Sequence, residues 1–345
     1  MTTTTPEESA NATAMRELGM SLGFAAQVRA AAKLGVADVL GDAPASAEVL
    51  AKAVDADADT LDRLMRALTS HGVFEEVEHG TYAHTATSRL LREDHPKGMK
   101  YIVLWASAPW TWEAWPRLDE AVRTGKAVFP DIYGQEFFTY LQESDPESAK
   151  VFNRAMTQSS QITSELVAEV LDLAGVRTVV DIGGGQGHLV ATLLRRHPDV
   201  KGVLYDLTKV VAGAIPAITA GGELADRCTV IGGDCRESVP PGADLYVFKN
   251  VLEWDDESSL AALRNARQAG RPGARVVLVQ NLVEASSEMK VTTAMDLFLL
   301  LNVGGKKHTR HGLAKLFEQA GLRPGAVQPV PGTSLHTLTA YVPEA

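Results

Sequence analysis

The chain has 345 residues, 45% hydrophobic and 22% charged, the balance of an ordinary globular protein and too long for a single core, so two domains are expected. A formal net charge of −10 excludes a nucleic-acid partner gripped through its phosphates. Two cysteines, Cys228 and Cys235, are too few for a disulfide framework and have no metal-ligand spacing, and no run approaches a membrane span. Reduced thiols, a cytoplasmic location, no metal and no membrane partner are the expectations.

Residues 1–14, "MTTTTPEESANATA", are polar and acidic and read as a disordered tail with no signal peptide. From Met15 to Leu40 the apolar residues recur at helical spacing, Leu18, Leu22, Val28 and Leu34 among them. Ser46 can cap a short helix in "SAEVLAKAV". "DADTLDRLMRALTSHGVF" carries a Leu61-Leu64-Met65-Leu68 face and ends at Gly72. "VFEEVEHGTYAHT" reads as a β-hairpin turning at His79-Gly80. Three helices and a hairpin give residues 15–99 a winged-helix pattern. The third helix has Arg63 and Arg66 beside Asp62, and Glu75, Glu76 and Glu78 make the wing a poor phosphate clamp. A packing or dimerisation module is the preferred reading.

Residues 100–175 read as a helical connector holding Trp105, Trp110, Trp112 and Trp115, which form either a core and docking face or an aromatic wall for a flat ligand. After Val176 short apolar strands alternate with helices, the pattern of a doubly wound α/β sheet. One of those helices is expected near "VVAGAIPAI". Two final strands around Pro331-Gly332 predict a closing antiparallel hairpin in the 176–345 domain.

"VVDIGGGQGHL" follows a strand and opens a helix. Gly183, Gly185 and Gly187 allow sharp turning and close approach to a ligand, but His188 stands where a dinucleotide fingerprint has its third glycine. Asp181, just before the loop, would repel a pyrophosphate and can pair with an ammonium group. Asp206, followed by Leu207, ends the next strand where a carboxylate accepts from ribose hydroxyls, and Asp234 ends the third where it can accept from an adenine amine. Amino acid, ribose and base in order outline S-adenosylmethionine.

With "GVLYDLTKVV", "IGGDCRES", "LYVFKNVLEWDDE" and "MDLFLLLNVGGKKHTRHGLAKLFEQAGL", the chain resembles the small-molecule O-methyltransferase family of plant phenolic and bacterial antibiotic-tailoring enzymes. The resemblance implies a homodimer with a Rossmann-like catalytic domain that binds S-adenosylmethionine through Gly183, Asp206, Asp234, Cys235 and Lys249, with Trp254 nearby. Cys235 stands where the family usually has a bulky apolar residue beside adenine. Acceptor-pocket candidates are Trp105, Phe152, Met156, Trp254, Met295, Phe298 and Asn302; aromatic and sulfur-bearing walls suit a planar aromatic or polyketide-like small molecule.

The family usually has Leu-His-Asp-Trp at the strand end, its histidine being the general base. Here Leu252 is followed by Glu253 and Trp254, so either the histidine is deleted or Glu253 replaces it. Gln280 and Lys307 stand where the family tends to have glutamates. Glu253 and His308 are the candidate substitute bases, with His311 and His188 less central; Lys307 can pair with an anionic substrate or with Glu253. Alignment of nucleophile and methyl alone is worth on the order of 7–11 kcal/mol, and a base adds about 10²–10⁴-fold. O-methylation by positioning is therefore expected, with the acceptor atom left open among oxygen, nitrogen and carbon. The alternative is a relative that keeps the cofactor but performs a cyclisation, decarboxylation or hydroxylation.

Overall fold

A computed structural model describes residues 6–285 and 288–344. The chain forms two units, Met1–Thr111 with Lys150–Gln158, and Trp112–Ala149 with Ser159–Ala345. Helix Pro146–Val170 therefore contributes to both, and the stretch read as one connector is divided between them.

In the first unit, helix Pro6–Leu34 begins far earlier than expected. Residues 6–14, read as a disordered tail, form its first turns. Glu7 and Glu8 lie in the first turn, where the helix dipole favours acids, and Ala and Met follow. Residues 1–5, the rest of that tail, lie outside the described residues. Gly35, at φ 73°, ends the helix, so the periodic run to Leu40 is broken before the short helix Val36–Val39. Ser46 caps helix Ala47–Ala53 by accepting from the Val49 N–H, and Asp57 caps Ala58–Ser70 by accepting from Thr60 at 2.9 Å. The hairpin is β2 (Phe74–Glu78) with β3 (Thr81–His84), and β1 (Ala45–Ser46) adds to β3 as a third strand. A two-residue strand leaves no periodicity to read. Leu50, Leu61, Met65, Leu68, Phe74 and Tyr82 fill the core. Met15, Leu18, Met20 and Leu22 remain exposed.

The second unit is built on a seven-stranded sheet: β4 (Thr178–Ile182), β5 (Lys201–Asp206), β6 (Cys228–Gly232), β7 (Leu245–Lys249), β8 (Arg275–Asn281), β9 (Arg323–Pro329) and β10 (Leu335–Tyr341). Their order is β6-β5-β4-β7-β8-β10-β9. The first five in sequence run parallel, and β10 is antiparallel to both β8 and β9. Along β7, Tyr246 and Phe248 enter one core and Leu245 and Val247 the other, so both faces of the sheet are covered. The helix expected near "VVAGAIPAI" is instead a single turn, Thr208–Val211, and a 3-10 turn, Pro216–Ile218. Pro216 has no N–H to continue a helix. The winding reverses between β4 and β7, which opens a crevice at the carboxyl ends of those strands.

Candidate functional site

Asp181 lies on β4 beside that crevice and is only 1% exposed. Its Oδ2 accepts from the Val190 N–H at 3.2 Å, whereas Oδ1 is buried with no hydrogen-bond partner. Burial pushes the carboxyl up to about 7, with the Lys249 charge acting in the opposite direction. Lys249 ends β7, and its Nζ lies 3.4 Å from Ser160 Oγ. Burial brings its ammonium down to about 8, while Asp181 and Glu253 favour the charged form.

The glycine loop follows Asp181 directly. At Gly183, φ is 63° and a Cβ would stand 2.5 Å from Val251, so no other residue fits without displacement. A Cβ at Gly185 would meet nothing within 4 Å, so this turn faces open space. Its N–H donates to Asp206 Oδ2 at 2.8 Å, and the Leu207 N–H donates to Asp206 Oδ1 at 2.7 Å. Burial raises the Asp206 carboxyl, and these two N–H groups partly offset it. Gly187 caps helix His188–Arg196, which makes His188 its first residue; burial lowers the imidazole's proton affinity.

Asp234 follows β6. Its Oδ1 accepts from the Arg236 backbone N–H at 2.8 Å, and the Arg236 guanidinium reaches Oδ2 at 2.7 Å. Burial would raise this carboxyl, but the Arg236 hydrogen bonds and charge more than offset that and hold it below the usual range. Cys235 is 7% exposed, and burial pushes its thiol up to about 12. Trp254 is partly buried and packs on the core beneath β7.

At the turn after β7, the Lys307 ammonium is ion-paired with Glu253 Oε1, their side chains 8% and 15% exposed. The Lys307 N–H donates to Asp296 at 2.6 Å, fastening the loop to helix Met289–Val303. Asp255, not Glu253, caps the following helix, accepting from the Ser258 N–H at 2.9 Å. His308 is 3% exposed, with Nε2 buried and unpartnered; burial lowers its proton affinity, so the ring is neutral at neutral pH. His311 is exposed. Gln280 is buried on β8, opposite His336 of β10.

The acceptor candidates divide between the units. Trp105, Phe152 and Met156 belong to the first, where the Trp105 and Phe152 rings meet edge-on at 6.0 Å. Met295, Phe298 and Asn302 share one face of helix Met289–Val303 in the second. Phe298 is 6.4 Å from the Trp115 ring. Asn302 Nδ2 donates to the Phe298 carbonyl at 2.7 Å, leaving Oδ1 buried without a partner. Of the four tryptophans, Trp105 and Trp110 fall in the first unit and Trp112 and Trp115 in the second.

Two residues of the site lie outside the sequence expectations: Arg236, whose separation of two from Asp234 is visible in the chain, and Asp296, which only folding brings to the 307 loop.

A parallel sheet with this reversal, a closing antiparallel hairpin and acids at three successive strand ends defines a class I methyltransferase. The chain belongs to the O-methyltransferase family: residues 115–323 match the O-methyltransferase domain and residues 21–94 the O-methyltransferase dimerisation domain. It is 38% identical over 298 residues to the mitomycin biosynthesis 6-O-methyltransferase of Streptomyces lavendulae, covering 86% of this chain and 84% of that one. The solved mitomycin 7-O-methyltransferase superposes with a TM-score of 0.89 at 34% identity, covering 97% and 98%. An O-methyltransferase from neocarzinostatin biosynthesis, solved with S-adenosylmethionine and 2-hydroxy-5-methyl naphthoic acid, gives 0.79 at 32% identity, covering 92% and 95%. The protein is thus an S-adenosylmethionine-dependent methyltransferase. Asp181 Oδ1 without a partner and the open side of Gly185 fit a ligand with an ammonium end. Among the described residues no helix is long and apolar enough to cross a membrane.

Proposed function

We propose that this enzyme methylates a hydroxyl of a small aromatic or polyketide-type natural product, by orienting the acceptor rather than through a histidine base. The observation that carries the reading is the Glu253–Lys307 ion pair in the turn after β7, where the family resemblance implies a histidine base. One oxygen of Glu253 is already committed to an ammonium, and the pair is fastened to the acceptor-side helix through Asp296.

Asp181 and Lys249 would receive the amino-acid end of the cofactor, and the backbone of Gly183, Gly185 and Gly187 would lie against it. Asp206 would accept from the ribose, with Leu207 beside it, and Asp234, Cys235 and Trp254 would surround the adenine. When bound, the cofactor's sulfonium supplies an electrophilic methyl group. Phe298 and Met295 offer apolar surface to a planar acceptor, and Asn302 Oδ1 can accept from a hydroxyl.

The dimerisation-domain match and the exposed Met15, Leu18, Met20 and Leu22 support a homodimer. A cytoplasmic location accords with the reduced Cys228 and Cys235.

The test is transfer of labelled methyl from S-adenosylmethionine to a panel of hydroxylated naphthoates, anthraquinones and their amino counterparts. Labelled aryl ethers with stoichiometric adenosylhomocysteine support the reading. Label confined to the amines would overturn the oxygen assignment, and no transfer to any member would overturn the acceptor class.

A further inference from the structure

We propose that Arg236 is a positioning residue for the cofactor's adenine: it sets the Asp234 carboxylate to receive the exocyclic amine and, with Trp254, supplies the wall that Cys235 is too short to make. This rests on the reading above that Asp234 and Trp254 bound the adenine end.

The geometry is specific. Arg236 Nε lies 3.1 and 3.0 Å from the two oxygens of Asp234, Nη2 lies 2.7 Å from Oδ2, and the backbone N–H of Arg236 lies 2.8 Å from Oδ1. A carboxylate gripped by a planar guanidinium and an amide cannot rotate, and the fork fixes the plane of its free lone pairs. The guanidinium carbon is also 5.6 Å from the centroid of the Trp254 ring, within reach of a cation–π contact. Arg236 therefore ties the strand end that carries Asp234 to the turn that carries Trp254. Glu136 adds a favourable charge on the same guanidinium.

The turn behind it is firmly held. Tyr205 donates to the Ser238 carbonyl at 2.7 Å, and Asn265 donates to the Cys235 carbonyl at 3.0 Å. A rigid turn gives Arg236 a fixed base from which to orient its neighbour. Cys235 is buried and small, so it presents little surface to a purine. The Arg236 and Trp254 side chains, 5.6 Å apart, would supply that surface instead.

An arginine that acts through Asp234 affects recognition of the amine more than general stability. Calorimetric titration of the full-length protein with S-adenosylhomocysteine and with S-inosylhomocysteine, whose base has a carbonyl in place of the amine, separates the two. Arg236→Leu should weaken the adenosyl ligand about tenfold or more while changing the inosyl ligand by less than about threefold. Arg236→Lys should recover only part of the loss, because an ammonium cannot form the fork. KM for S-adenosylmethionine should rise with kcat nearly unchanged. Equal weakening of both ligands by Arg236→Leu, or none, overturns the proposal. Asp234→Asn distinguishes the two levels: if it leaves the adenosyl preference intact, the adenine assignment of Asp234 has failed and the proposal for Arg236 falls with it. If Asp234→Asn abolishes the preference and Arg236→Leu does not, only the role of Arg236 is refuted.

Discussion

The Lys307 ammonium sits on the Glu253 carboxylate with both side chains largely withdrawn from solvent, and the peptide N–H of Lys307 is bonded to Asp296. By the family resemblance, Glu253 lies in the turn where a histidine base is expected and Lys307 in the loop where a glutamate is. If orientation carries the reaction, Glu253→Gln should keep methyl transfer within about tenfold of the parent; a base would cost about 10²–10⁴-fold. The check is single-turnover transfer with saturating cofactor, compared across pH. Lys307→Met should be worse for stability than the double variant with Glu253→Gln, by up to about 3 kcal/mol in denaturant unfolding, because it leaves a shielded carboxylate without its counter-charge.

Cofactor affinity should depend on pH through Asp181. Burial raises this carboxyl to about 7, so below that value it carries a proton and cannot pair with an ammonium. Adenosylhomocysteine binding should weaken toward about tenfold per pH unit below 7 and level off above it, until Lys249 begins to lose its proton near 8. Asp181→Asn should bind more weakly and lose the acid-side slope. The same raised value means that the folded chain holds this proton after the unfolded chain has released it. Its contribution to stability is therefore greatest below the unfolded carboxyl's value and is lost as pH rises through about 7. A wild-type affinity that stays flat from pH 6 to 8 would contradict the assignment.

Gly305 is a third test. A Cβ there would stand 1.8 Å from the Glu253 carbonyl oxygen, a backbone atom that cannot swing aside. Gly305→Ala should force the loop from the turn, costing about 1–3 kcal/mol of stability. A displacement near 1 Å at the acceptor side should reduce kcat by about 10²-fold. Adenosylhomocysteine affinity should change little, since the glycine loop and its acids lie elsewhere.

The exposed face of helix Pro6–Leu34 makes the fourth. Leu18 is 68% exposed and Leu22 50%. If a second copy covers them, Leu18→Asp with Leu22→Asp should raise the dimer dissociation constant by well over tenfold, since each buried leucine is worth about 1.5–3 kcal/mol. Sedimentation equilibrium would read this directly, and an unchanged dimer would move the interface elsewhere.

Local chemistry explains what could be read in advance. Ser46 caps its helix because a short side-chain oxygen satisfies an N–H that the helix cannot. Asp181, Asp206 and Asp234 were legible because strand ends and glycine turns have local signatures. The polarity of residues 6–14 resembles a tail, although their helix-forming residues and first-turn acids favour a helix. The break at Pro216 was in plain view and was overridden by an expected alternation.

By itself, the sequence determined the strand pattern and the glycine loop, since each depends on residues within a few positions of one another, and it indicated the cofactor through acids at three successive strand ends. It also determined that the family's histidine does not stand in its usual setting. Only the tertiary structure decided which charges meet in that turn. Glu253 and Lys307 come together across the chain because the turn after β7 and the loop after helix Met289–Val303 fold against each other, with Gly305 allowing the approach. The same holds for Asp181 and Lys249, whose ionisation is set by burial at the ends of adjacent strands. Burial and long-range charge pairing are properties of packed surfaces, and they exist only once the sheet has closed.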